Sequence, residues 1–459
     1  MDAEELAFSG IARQAELIRD GEVSSRELVE LYLGRIDRLN PKLNAFTEVL
    51  SERALADADA ADGRAASGER APLLGVPVAI KDAVDVEGVV TQFGTRAFDR
   101  PAAADGEMVR RLRDAGAVVI GKTTLPELAI CGFTESEGWG VTRNPWNADR
   151  SPGGSSGGSG AAVAAGLVGG ASASDGGGSI RIPAAFCGIF GLKPQRGRVP
   201  IEPADHWNGM SVNGCVTRTV GDTALYLDVV ADGAEESYTD AAASPPGRLR
   251  IAISDKPARA ILPPVVTDEV TAALTETEEL LRSLGHDVSR RDPSFGMRAS
   301  NFVTRYLTGI REELEGVPHP ERLEGRTRGF GRLGGLYPAF VVRRANRLAA
   351  TDAEAINRSW ADFDVLVTPS VGEPPIEVGR WQGKGALATV LGMSRTYCFT
   401  PIWNHTGQPA AAVPAGFTDE GLPLSVTLVG HPNAEPLLLS LAAQIEAERP
   451  WADRRPPGF

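Results

Sequence analysis

The sequence predicts an α/β fold from three observations: apolar runs of strand length, amphipathic stretches of helix length, and alternation of the two along most of the chain. A chain of 459 residues has room for two or three average domains, or for one large enzyme domain around a continuous sheet. Near the start, Ser24 and Glu27 have capping-box spacing, and Leu28, Leu31, Tyr32, Ile36 and Leu39 line one face ahead of Pro41, which predicts a scaffold helix. Residues 58–68, rich in Ala, Asp and Gly, are expected to form an exposed connection. The segment 76–86 (VPVAIKDAVDV) reads as a buried strand, and 107–115 as a helix leading into a strand at 117–120. Residues 151–179 have a linker's Gly, Ser and Ala, but apolar helix formers at 161–168 interrupt the tract, so a structured active-site core is expected there. A helix at 220–230 precedes a Pro, Ala and Ser-rich stretch at 241–247, the strongest linker signal in the chain. A strand at 249–253, a helix at 267–284 closed by Gly285 and a strand from 286 to 289 resume the alternation. Residues 293–348 are mixed in texture and rich in Arg and Gly, as expected of a variable cap over a substrate site. Strand character returns at 364–369 and 424–429, a helix is expected at 434–447, and no internal repeat stands out.

The formal charge of −13 and a pI near 5.1 repel phosphate backbones and acidic membranes unless basic residues are segregated on one face. The densest basic run, 322–332, is broken by Glu324 and carries Phe330 as its one aromatic, the pattern of a solvated helix or loop. No nucleic-acid partner is expected. Cys131, Cys187, Cys215 and Cys398 are widely spaced with no CxxC pair, so reduced, packed thiols are expected and no metal site. The opening MDAEELAFSG has neither a basic nor an apolar leader segment, and no run is long and apolar enough for a bilayer. A cytoplasmic protein with no membrane association and no cofactor is the expectation, as a monomer or homodimer.

Residues 116–123 (GAVVIGKT) satisfy the P-loop pattern formally. A phosphate cradle needs strand, Gly-rich loop and helix in that order, whereas here the variable positions are themselves the strand, and Pro126 disfavours a helix after Thr123. Amide hydrolysis needs a nucleophile, a base that later serves as acid, and donors aimed at the oxyanion. His206, His286, His319, His405 and His431 all lie outside the Gly and Ser-rich core and outside any triad motif. The core offers serines instead. Ser155 and Ser156 lie in SPGGSSGG, and Ser179 in DGGGSIR, where three consecutive glycines let backbone N–H groups form an anion-binding nest beside a hydroxyl.

Residues 76–82 (VPVAIKD), 151–166 (SPGGSSGGSGAAVAAG) and 174–199 (SDGGGSIRIPAAFCGIFGLKPQRGRV) resemble, in order and spacing, the defining region of the amidase-signature family. Residues 142–147 (TRNPWN), 208–224 and 404–417 (NHTGQPAAAVPAGF) are also similar to that family. The resemblance implies a single large domain over 1–459, with a central mixed twisted β-sheet covered by helices on both faces, a signature core at about 74–225 and a variable cap at about 240–350. It also implies a serine hydrolase cleaving acyl C–N bonds with Ser179 as nucleophile, Ser155 as a bridging serine after a cis peptide, and Lys81 as general base. The backbone N–H groups of Gly176, Gly177 and Gly178 would form the oxyanion hole, with Ser156, Asp175 and Arg181 in support. Lys81 sits in an apolar segment where desolvation lowers its pKa. Bringing it from ~10.4 to near 7 requires destabilising the ammonium by roughly 4 to 5 kcal/mol.

The family often carries a bulky residue where this chain has Gly176 and a threonine where it has Ser174. Cys131, Gly132, Trp207 and Met210 are the candidates for the pocket wall. The implied substrate is a small-molecule amide, anilide or carbamate, and an ester- or urethane-cleaving hydrolase would use the same chemistry. A glutamine-hydrolysing subunit of a tRNA amidotransferase is the alternative of another class; the acidic balance and the atypical 293–348 argue against it.

Overall fold

Eleven strands hydrogen-bond into one mixed sheet in the computed structural model of the chain, which describes residues 1–233, 235–258 and 262–459. In chain order the strands are β1 (Phe46–Val49), β2 (Pro77–Lys81), β3 (Val118–Thr123), β4 (Glu135–Ser136), β5 (Gly140–Val141), β6 (Gly170–Asp175), β7 (Phe190–Lys193), β8 (Val212–Thr217), β9 (Arg250–Ile253), β10 (Asp287–Arg290), β11 (Val365–Pro369), β12 (Ala410–Phe417) and β13 (Pro423–Gly430). β4 and β5 pair only with each other; the rest follow the spatial order β1-β3-β2-β6-β8-β7-β12-β13-β11-β9-β10. β3, β2 and β6 run parallel, as do β11, β9 and β10, while β6 through β13 pair antiparallel.

β2, β3, β7, β8, β11 and β13 are buried at every position, as expected where helices cover both faces of a sheet. Alternate residues feed different cores: Val78 and Ile80 of β2 join one cluster with Val119, Ala411 and Val413, while Ala79 joins the other with Val118, Ile120 and Ala412. Helices Glu107–Asp114, Val220–Val230, Asp268–Ser283 and Glu435–Glu448 pack on the first face. Ser25–Leu43, Gly157–Ala164 and Arg181–Cys187 pack on the second. Helix Gly157–Ala164 is buried at every position, which accounts for its linker-like composition: only small side chains fit so close to the sheet.

Several boundaries differ from the sequence reading. The connection expected at 58–68 is mostly helix, Ser51–Ala66, because alanine's helix propensity prevails and Ala54, Ala58 and Ala61 are buried. The helix from Ser25 passes through Pro41 to Leu43 and stops at Asn44 with φ +53. The strand expected over 76–86 ends at Lys81, since the next residues turn so that the Ala83 N–H reaches the Lys81 carbonyl. Part of the 241–247 linker is helix, Tyr238–Ala243. Residues 250–290 extend the sheet rather than cap it, whereas 293–348 is dominated by helices Ala299–Glu315, Gly325–Gly334 and Ala339–Arg358. All four cysteines are buried and free. The lysine of GAVVIGKT, Lys122, is buried in β3 and pairs with Asp82 at 3.2 Å, so the segment forms no phosphate loop. No described helix is long and apolar enough to cross a membrane, and no group of three potential metal ligands occurs among the described residues.

Candidate active site

β2 and β6 are parallel neighbours, so their carboxyl ends open on the same edge of the sheet, where α/β proteins place their sites. Lys81 closes β2 and Asp175 closes β6. The 151–156 loop enters helix Gly157–Ala164, and Gly176–Ser179 leads into helix Arg181–Cys187. Lys81 is fully buried, with Nζ 2.7 Å from Ser155 Oγ and 2.9 Å from Ser174 Oγ. Its backbone N–H donates to Ser172 Oγ at 2.8 Å. The Gly154–Ser155 peptide is cis. Burial lowers the Lys81 pKa to about 7, against the opposing pull of Asp175 and Glu313. The carboxylate next to it in sequence is committed elsewhere, since Asp82 pairs with Lys122.

Ser179 is half-buried, and its hydroxyl hydrogen-bonds to no protein group among the described residues. Ser156 ties the two loops together. Its N–H donates to the Ser179 carbonyl at 3.3 Å, its Oγ accepts the Ser174 N–H, and the same hydroxyl donates to the Ser174 carbonyl. The Asp175 carboxylate is buried and organises the glycine turn, accepting from the Gly178 N–H at 2.6 Å, the Ile180 N–H at 3.2 Å, and Arg181 Nε and Nη2 at 3.0 and 3.1 Å. Burial alone would raise its pKa, but Arg181, Lys193 and Asn404 together hold it at about 2. Because the Gly178 N–H is given to Asp175, the backbone donors near Ser179 without a protein partner among the described residues are those of Gly176, Gly177 and Ser179 itself. An Arg181→Met variant strands a buried carboxylate and is expected to lose about 3–5 kcal/mol of stability, read from urea unfolding.

Two supporting residues were not foreseen. Asn404 Nδ2 donates to Asp175 Oδ1 at 2.8 Å, and Thr400 Oγ1 donates to the Gly177 carbonyl at 2.8 Å. Asn404 opens the family-like NHTGQPAAAVPAGF segment, which is the signal that marks it; Thr400 lies in no motif.

An apolar cleft of about 840 Å³, its open mouth included, runs from Ser179. Cys131, Gly132 and Trp207 border it. Met210 does not: it is 1 % exposed and packs into the aromatic cluster behind the wall, where the chain straightens toward β8. Larger wall residues are Phe302 and Tyr306 from helix Ala299–Glu315, within the 293–348 stretch, and Met393 from helix Ala386–Thr396, to which the sequence reading gave no element. Trp207 also explains how Gly176 is tolerated: a Cβ there would stand 2.9 Å from Trp207 Cε3, so the indole fills the space that a bulkier residue would take.

The sequence profile of the family described as Amidase matches residues 27–439. The chain belongs to the amidase-signature family. It is 50% identical over 463 aligned residues to a protein of Mycobacterium tuberculosis (strain ATCC 25618 / H37Rv) named as an amidase, AmiB2, with 99% of each chain covered. The structure of a 6-aminohexanoate cyclic dimer hydrolase superposes with a TM-score of 0.91 at 32% identity, covering 98% of this chain and 99% of the other. A bacterial aryl acylamidase of the amidase-signature enzymes superposes with a TM-score of 0.84 at 25% identity, covering 95% of both. This amidase-signature chain is therefore an amidase, a hydrolase acting on carbon–nitrogen bonds, built on a single-domain α/β fold with a large mixed sheet.

Proposed function

We propose that this amidase cleaves small-molecule amides or anilides through an acyl-enzyme on Ser179, with Lys81 as base acting through Ser155. The observation that carries the reading is the buried, 2.7 Å contact of a lysine whose pKa is lowered to about 7 with the serine that follows the cis peptide. Neutral Lys81 accepts the Ser155 proton while Ser155 takes that of Ser179, whose oxygen attacks the carbonyl carbon. The oxyanion is met by the free N–H groups of Gly176, Gly177 and Ser179. When the tetrahedral intermediate collapses, the C–N bond breaks and the nitrogen leaves with the proton returned through Ser155. Water then repeats the relay and releases the carboxylate. The relay requires the Ser155 to Ser179 leg to close as the substrate carbonyl is bound. Carbamates and esters present the same attackable carbonyl and are expected to react where they fit the cleft.

The test is intact-mass analysis after fluorophosphonate treatment. One adduct on the wild type and none on Ser179→Ala supports the reading; an adduct that survives the substitution overturns it. A second expectation concerns the oxyanion turn. Gly178 has φ +131, and a Cβ there would lie 2.4 Å from Thr400 Oγ1. Gly178→Ala should therefore displace the neighbouring N–H donors and lower kcat by roughly 10²–10³, with fluorophosphonate labelling slowed in parallel.

A further inference from the structure

One indole stands between two cavities at this site. Trp207 borders the apolar cleft that holds Ser179 and also a second, more polar cleft to which Ser174, His206, Asn213 and Glu313 contribute. Its ring is held from several sides. Nε1 donates to Glu313 Oε2 at 2.5 Å, Tyr306 meets it edge-on at 5.5 Å between ring centroids, and Gly176 lies beneath it. The backbone is left-handed at both Trp207 (φ +51) and Asn208 (φ +56), an uncommon state for a bulky aromatic that persists only where neighbours fix it. Arg305 supplies that fixation, with Nη2 donating to the Asn208 carbonyl at 2.6 Å and the Arg305 carbonyl accepting from Asn208 Nδ2 at 3.1 Å. The cap helix Ala299–Glu315 thus holds the indole through Glu313 and its loop through Arg305.

The two cavities approach the reacting groups from different sides. Ser179 faces the apolar cleft, whereas the second cleft is reached through Ser174, whose Oγ is 2.9 Å from Lys81 Nζ. A departing nitrogen takes its proton from the Ser155–Lys81 pair, so the amine substituent must lie on the Lys81 side and the acyl substituent on the other. We propose that Trp207 is the partition that sets specificity: it bounds the acyl group in the apolar cleft and directs the amine portion into the polar one. The substrate class is then an amide with an apolar acyl group of limited length and a polar amine. The inference rests on Ser179 as nucleophile.

The experiment measures kcat/KM for a series of p-nitroanilides from acetyl to decanoyl on wild type, Trp207→Phe and Trp207→Ala. Removing the partition should raise the decanoyl-to-acetyl ratio by about 10-fold or more in Trp207→Ala, while Trp207→Phe, which keeps most of the bulk, stays within about 3-fold of wild type. A fall by one common factor for every chain length in Trp207→Ala would show that the indole only supports the oxyanion turn, and would overturn the proposal. Should Trp207→Ala fail to fold, Trp207→Leu carries the same expectation with a smaller shift, and an unchanged ratio there overturns it equally. Intact mass of the wild type with each substrate separates the two readings. An acyl adduct on Ser179 with an unmoved ratio in the variants defeats the partition alone; no adduct on Ser179 defeats the nucleophile assignment beneath it.

Discussion

Replacing Lys81 with methionine is expected to lower the acylation rate at least about 10³-fold and, at the same time, to make the fold more stable below neutral pH. Both effects come from one desolvated amine. Lys81 has no exposed surface, and burial brings its pKa to about 7, well below the usual lysine value. Between about pH 7 and ~10.4 the unfolded chain binds this proton more tightly than the folded one, so stability rises with pH across that window. Below it both states carry the proton, and the folded state bears the full cost of an ammonium out of water. Methionine removes that cost but leaves Ser155 and Ser174 without their shared partner, a loss of about 1–3 kcal/mol. A net gain of roughly 1–3 kcal/mol near pH 6, shrinking toward pH 9, is the expected balance, read from urea midpoints at both pH values. A variant that is inactive and less stable at both would mean that the lysine is held as a charged structural ion.

Ser179→Ala is the second large effect. Without the hydroxyl no acyl-enzyme can form, and turnover is expected to fall by about 10⁴-fold or more, because the remaining donors stabilise an oxyanion that nothing creates. Its fold should be unaffected, since the Ser179 side chain has no protein hydrogen bond to lose among the described residues. Ser155→Ala provides the contrast. It keeps the nucleophile but cuts the contact with Lys81, so slow labelling of Ser179 should persist while catalysis is lost. Burst kinetics with an activated ester distinguish the two: no burst in Ser179→Ala, a slowed one in Ser155→Ala.

The site was legible in the sequence to the extent that its residues are carried by short, ordered motifs. VPVAIKD, SPGGSSGG and DGGGSIR each place one member of the proposed triad at a strand end or a turn, and the fold brings Lys81 beside Ser155 because β2 and β6 are parallel neighbours. Strong local signals also translated well. The capping box at Ser24, the helix Val220–Val230 with its Thr219 cap, and β11 and β13 lie within a residue or two of the expected bounds. Composition misleads where small residues serve packing: the alanine-rich 58–68 has the composition of a loop, although a buried alanine stripe makes most of it a helix. β7, β8 and β12 carry Gly, Asn, Cys and Pro in place of a clean alternation, because both faces are covered and neighbours sit close, so periodicity gave no sign of them. The cleft wall was the least readable part. Phe302, Tyr306 and Met393 reach it from helices more than a hundred residues beyond Ser179, and only tertiary packing brings them to the same cleft as Ser179.

The proposed chemistry requires Lys81 to work as a neutral amine. Single-turnover acylation of Ser179, followed by stopped flow from about pH 5 to about pH 9, tests it most directly. A rate that climbs tenfold per pH unit and levels off with a midpoint near 7, and that loses this titration in Lys81→Met, is the expected result. A rate that is flat across the range, or one whose midpoint is unchanged when Lys81 is gone, would contradict a lysine base.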